Sequence, residues 1–351
     1  MAIALQEDPD LGKSAIMLQF NGLIKGPLAQ VVRPSVTGPL VVVIDALDEC
    51  GTEGTRQQLL VNFLEMSSLT RWLKIILTSR PNEDIRTHFD KAVRKFCRLD
   101  LDAEDSFNDI MKFAQKRLEG IAEKKLLAPT WPGELKTKEL ARRASGLFIW
   151  VQTACAFIED TPNPGYRLGV VLSADATHKT SYALLDELYK TALRFSLGEA
   201  DDNAQIFRDV VGAVAAVATR TPLPINALAT LLDGPVEGQV VASTIRCLGS
   251  VLYVDATRGG AVRICHPSFL DFLTDSSRSS HFFIDMQWQN ARFAGICLRT
   301  MINGLKFNMC RLPSSYYANA NVSDLEARIE HAISSSLRYS SLHWASHMGE
   351  I

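Results

Sequence analysis

Short apolar runs alternate along the chain with longer amphipathic stretches. The barest run is Leu40-Val41-Val42-Val43-Ile44, which follows a Gly38-Pro39 breaker and ends at once in Asp45-Ala46-Leu47-Asp48-Glu49. Consecutive β-branched residues with no polar alternation predict a parallel strand buried on both faces. A helix is expected at 55–69, with Leu59, Leu60, Phe63, Leu64 and Met66 on its inner side. Leu73-Lys74-Ile75-Ile76-Leu77 then repeats the strand pattern, closing in Thr78-Ser79-Arg80 before Pro81, a residue suited to open a helix. Two such units in succession are the grammar of a parallel sheet with crossover helices. A weaker third strand is expected at 96–101, closed by Asp102 as an N-cap with Glu104 and Asp105 in the first helical turn. Ahead of these units, Ala15, Ile16, Leu18, Phe20, Leu23 and Ile24 fall at helical spacings.

From Ser106 onward the periodicity is helical. Ile110, Phe113, Ala114 and Leu118 share a face, 127–133 is a loop, and Leu140, Ala144, Leu147, Phe148, Trp150, Val151 and Ala154 predict one strongly apolar helix around Gly146. Thr161-Pro162-Asn163-Pro164-Gly165 breaks the chain. Helices follow at 182–196, 203–219, 225–232 and 236–248, then strand-like pieces at 250–254 and 261–265 joined by a turn with Gly259-Gly260. Three helices and a hairpin make a winged-helix pattern. The tail is helical over 282–309 and 322–348. The fold class is therefore α/β then mainly α: a partial parallel sheet in 1–101, a helical domain in 102–200, a winged-helix domain in 201–281 and C-terminal helices in 282–351.

Composition narrows the function classes. A chain of 351 residues, 47% hydrophobic and 22% charged, suits an ordinary globular protein with more than one core. Its formal net charge of -2 supplies no overall field toward nucleic acid or an anionic membrane. The longest near-continuous apolar stretch, 210–218, is far short of the roughly 20 residues of a membrane span. Seven scattered cysteines without a C-x-x-C pair suit reduced thiols and give no zinc spacing. A cytoplasmic protein with neither nucleic-acid nor membrane partners is expected.

The acids after the first strand add chemistry to this picture. Carboxylates at the carboxyl end of a parallel strand stand in the crevice where open α/β sheets bind ligands, and oxygen ligands there suit hydrated Mg²⁺. Asp45 would then hold the Mg²⁺ water shell, with Asp48 or Glu49 polarising an attacking water, as in a Walker B element. The plainer alternative makes Asp48 the N-cap of the next helix. Arg80 falls on the same sheet edge, able either to reach a terminal phosphate or to form a structural ion pair with Asp48 or Glu49.

Four motifs occur in the order seen in NACHT-type STAND nucleotide switches, particularly the fungal NACHT–WD-repeat group, and the chain resembles that family over nearly its whole length. They are Asp45-Ala46-Leu47-Asp48-Glu49, Leu77-Thr78-Ser79-Arg80-Pro81, Ser145-Gly146-Leu147-Phe148-Ile149-Trp150, and Cys265-His266-Pro267-Ser268-Phe269-Leu270-Asp271-Phe272-Leu273. Ser340-Ser341-Leu342-His343-Trp344-Ala345 is similar to the segment preceding a WD-repeat propeller in such proteins. The resemblance implies a P-loop NTPase sheet, Mg²⁺ at Asp45, catalytic carboxylates at Asp48 and Glu49, a γ-phosphate sensor at Arg80 and a β-phosphate contact from His266. It also implies an ATP/ADP-controlled intracellular sensor that homo-oligomerises when active, through its helical and winged-helix domains.

Departures from that pattern are plain. Gly12-Lys13-Ser14 mimics a phosphate loop, yet Glu7 occupies the first glycine position, Pro9 removes a donor and no strand is expected before it. Phe148 stands where many relatives place a proline against adenine. The expectation is a fragment of a longer protein with the P-loop upstream and a propeller downstream, hydrolysing ATP only in that context. An inactive NACHT-derived interaction scaffold is the alternative. DNA binding fits poorly, because 236–248 offers only Arg246 opposed by Glu237, and a hydrolase on Cys265 and His266 fails because adjacent strand-end residues point apart.

Overall fold

The computed structural model describes residues 2–30, 38–69, 72–80, 82–91, 97, 99, 106–173, 180–198, 201–232, 236–314 and 316–351. Two compact units emerge, Met1–Leu101 and Asp102–Ile351. The described chain is mostly helical, with two sheets of two strands each.

In the first unit β1 (Leu40–Ile44) leads to α1 (Glu53–Leu69), β2 (Leu73–Leu77) and α2 (Glu83–Lys91). The strands pair in parallel from Leu40 opposite Leu73 to Ile44 opposite Leu77. Phe20, Met66 and Leu73 gather Val42, Trp72 and Ile75 on one side of the sheet, while Leu47, Leu60 and Ile85 gather Phe63, Leu77 and Phe89. Burial on both faces of β1 is not what the structure shows. Val41 and Val43 are exposed, the latter at 64%, and alternate with half-buried Val42 and Ile44. Among the described residues helices cover one face only and β2 is the sole partner of β1. The strand expected at 96–101 and its cap at 102–105 lie, apart from Cys97 and Leu99, outside the described residues. Gly12-Lys13 forms a 3₁₀ turn after a short helix, Ala2–Glu7.

The second unit contains α3 (Phe107–Lys124), α4 (Glu134–Arg143), α5 (Phe148–Glu159), α6 (Pro164–Ser173), α7 (Ser181–Leu197), α8 (Asp201–Ala218), α9 (Ile225–Leu231) and α10 (Gly238–Cys247). An antiparallel pair follows, β3 (Leu252–Asp255) with β4 (Ala261–Ile264), then α11 (Pro267–Leu273), α12 (Met286–Gly304), α13 (Leu325–Ala332) and α14 (Ser335–Met348). The single helix expected around Gly146 is two helices. Ser145 and Gly146 take left-handed φ of 47 and 86 degrees and turn the chain between α4 and α5. At the centre runs α8, whose Phe207, Val210, Val211, Ala213, Val214 and Val217 are all fully buried, as suits a helix apolar nearly all round. Among the described residues no helix is long and apolar enough to cross a membrane.

The tail closes onto this core through a buried histidine. Helices α12 and α14 run antiparallel, Leu337 packing beside Gly304 at one end and His347 meeting Asn290 at the other. Asn290 Nδ2 donates to Glu350 Oε2 at 3.0 Å, so its Oδ1 accepts from His347 Nδ1 at 2.8 Å, and His347 Nε2 accepts from the Tyr339 hydroxyl at 2.7 Å. That arrangement needs a neutral ring. Burial, then the Arg220 guanidinium, pushes the His347 pKa down from 6.5 to about 4. A depressed folded-state pKa contributes stability that is complete above about pH 6.5 and is lost as pH falls toward 4. Urea unfolding should therefore show a loss of roughly 2 kcal/mol between about pH 7 and about pH 5. In His347→Gln, whose amide can serve both neighbours without titrating, that acid limb should flatten.

Candidate functional site at the carboxyl edge of the parallel strands

Because β1 and β2 end in register, Asp45 and Thr78 leave the sheet side by side. The ladder runs one step further: Thr78 N–H donates to the Ile44 carbonyl at 2.9 Å and Leu47 N–H to the Thr78 carbonyl at 3.0 Å. The Thr78 hydroxyl donates to Asp45 Oδ1 and accepts from Ala46 N–H at 2.9 Å. Between the acids, Ala46 sits at a left-handed φ of 54 degrees and folds the chain into the 3₁₀ turn Leu47–Glu49. That conformation strains any residue carrying a Cβ, and glycine alone escapes the penalty. Leu47, fully buried against Leu60 and Ile85, pins the turn down.

Asp48 joins the two strand ends. Its Oδ1 accepts Arg80 N–H at 3.1 Å and its Oδ2 lies 3.4 Å from Arg80 Nε, with the Asp48 side chain 9% exposed and that of Arg80 38%. The next helix begins only at Glu53, so Asp48 holds the strand-end turn instead of capping α1. Asp45 and Glu49 are exposed at the same edge. Asp45, Asp48, Glu49 and Arg80 are thus brought together on one edge of the first unit. Among the described residues no three His, Cys, Asp or Glu side chains converge as a metal cage.

His266 belongs to the second unit, where it caps α11. Its Nδ1 accepts from Ser268 N–H at 3.1 Å and lies 2.8 Å from Ser268 Oγ, which in turn lies 2.8 Å from the Tyr189 hydroxyl. A backbone N–H can only donate, so the neutral ring carries its proton on Nε2. Burial raises the Tyr189 pKa to about 12, offset by the Ser268 and Thr153 hydrogen bonds, and raises the Cys265 thiol to about 11. Burial therefore favours the Cys265 thiol over the thiolate.

Three contributors went unassigned in the sequence. Thr78, the joint between the acids and β2, was detectable as the polar residue in register with Asp45. Tyr189 and Ser268 meet across 79 residues and leave no local signal. A family model described as Nephrocystin 3, N-terminal, matches residues 3–80, a span that takes in both strands and ends on Arg80. No curated protein and no solved structure matches the chain.

Thr78→Val removes both hydroxyl bonds at nearly constant shape and should destabilise the first unit by about 1–3 kcal/mol, while Thr78→Ser retains most of the stability in a denaturant titration. Ala46→Gly relieves the left-handed strain and should raise stability by up to about 1 kcal/mol in the same titration.

Proposed function

We propose that residues 1–101 form the carboxylate-bearing half of an ATP/ADP site in a NACHT-type STAND switch of an intracellular sensor. The observation that carries this reading is the clustering of Asp45, Asp48, Glu49 and Arg80 at the carboxyl edge of a parallel strand pair, the place where open α/β sheets take ligands. Similarity to the Nephrocystin 3 N-terminal family over the same residues supports it.

In this reading exposed Asp45 holds Mg²⁺ through water, which needs one carboxylate and no closed cage. Glu49, exposed beside it, is suited to orient an attacking water, and largely buried Asp48 sets the position of Arg80. A terminal phosphate would compete with Asp48 for that guanidinium, which makes Arg80 responsive to its presence. The residues fit the group only in part. None of the 351 residues supplies the Gly-x-x-x-x-Gly-Lys-Ser/Thr loop whose backbone N–H groups wrap phosphates, so this chain alone holds nucleotide weakly. In the second unit, α8 to α10 with the β3–β4 ribbon are read as a winged helix and His266 as its β-phosphate donor. Nucleotide state would then bias homo-oligomerisation through the helical and winged-helix domains.

A second reading, an inactive scaffold kept for protein contacts, is favoured by the Asp48–Arg80 pair, which satisfies both ions without phosphate. Calorimetry and NMR titration of the chain with Mg·ATP and Mg·ADP separate the two. The half-site predicts a Kd on the order of 1 mM, with shifts confined to 45–49 and 78–80 that Asp45→Asn and Arg80→Ala abolish. Silence at about ten times that concentration favours the scaffold. A micromolar Kd would contradict the claim that phosphate grip is missing.

A further inference from the structure

Helix α12 carries two apolar faces, and only one is used. Phe293, Ala294, Ile296 and Cys297 are buried against the core. A second series, Trp288, Ala291, Gly295, Leu298 and Ile302, follows spacings of three and four residues in strict alternation, the a/d seam of a heptad repeat, with Leu305 just past the helix end. This seam is open. Ile302 is 79% exposed, Leu305 53% and Trp288 50%, Ala291 is exposed and Gly295 half-exposed. On one side Arg292 pairs with Asp209 of α8 at 2.7 Å, and on the other Gln287 donates to the Ile351 carbonyl beyond α14, and among the described residues nothing covers the seam between those two helices.

Two details specify what would lie on it. Gly295 has no reason within the chain: a Cβ there would meet nothing nearer than an Arg299 nitrogen at 3.5 Å, an ordinary contact, although glycine in mid-helix costs about 1 kcal/mol relative to alanine. Its lack of a side chain, beside Ala291, lets another helix backbone approach closely. Of the cations on the e side, Arg292 is already paired with Asp209, Arg299 is exposed, and Lys306 is exposed just beyond the helix end at Gly304. The g positions, Gln287, Ala294 and Met301, carry no charge. A second copy laid antiparallel would oppose its own cations, and laid parallel would offer them no carboxylate.

We propose that the open seam of α12 docks an amphipathic α-helix of a partner protein, whose apolar stripe enters between Leu298 and Ile302 and whose acidic edge meets Arg299 and Lys306. The probe is a three-heptad peptide with Leu and Ile at a and d and Glu at e and g, compared with the same peptide carrying Lys there, titrated into the full chain by fluorescence anisotropy. The Glu peptide should bind at least tenfold more tightly than the Lys peptide. Ile302→Glu, at a solvent-exposed position, should abolish binding with circular dichroism unchanged, and Arg299→Glu with Lys306→Glu should reverse the peptide preference. Equal binding of both peptides, or none of either, overturns the proposal. So does a dimer in sedimentation velocity that Ile302→Glu dissociates, which would make a second copy the occupant.

Discussion

Five backbone pairs in parallel register between β1 and β2 decide where the charged groups of the first unit can stand. Had the register slipped by one residue, Asp45 would have turned to the other face and lost Thr78. In the observed register the Thr78 hydroxyl ties Asp45 to the second strand, Ala46 turns in a left-handed conformation, and Asp48 comes to rest on Arg80. A carboxylate as enclosed as Asp48 is stable only while paired, because removing one member of a buried pair leaves the other charge uncompensated. The same pairing holds Arg80 where a phosphate could draw it away. Structure and switching would draw on one interaction.

The second unit depends on burial of a different kind. Helix α8 supplies aliphatic bulk on all sides, and three polar groupings join the helices around it: Asp186 with Arg278 through two bonds at 2.8 and 2.9 Å, Tyr189 with Ser268, and His347 with Tyr339 and Asn290. Each fixes one helix against another at a defined register. Helix α12 presents an apolar stripe away from that core, which is why its outer face reads as a surface for another chain.

Where the chain's own punctuation is local, the sequence was informative. Gly38-Pro39 and Ser79-Arg80-Pro81 bracket bare aliphatic runs, and both strands lie where those runs are. Coverage of a strand is not a local property, so the exposed Val41 and Val43 could not be foreseen from their neighbours. The break at Ser145-Gly146 was hidden because apolar spacing continues in phase on both sides of it. Pro164 read as a stop, whereas it is the first residue of α6, the helical position where a missing N–H costs nothing. The acids and Arg80 were legible by type and place. Their mutual satisfaction was not, since it depends on a 3₁₀ turn set by one alanine in a left-handed conformation.

The most direct measurement of the central claim is a double-mutant cycle between Asp48 and Arg80, run by denaturant unfolding with and without saturating Mg·ATP. A functional edge predicts a coupling of about 1 kcal/mol or more in the absence of nucleotide, falling toward zero when phosphate draws Arg80 from its partner. A coupling that is the same in both conditions would make the pair a structural clamp and contradict the account.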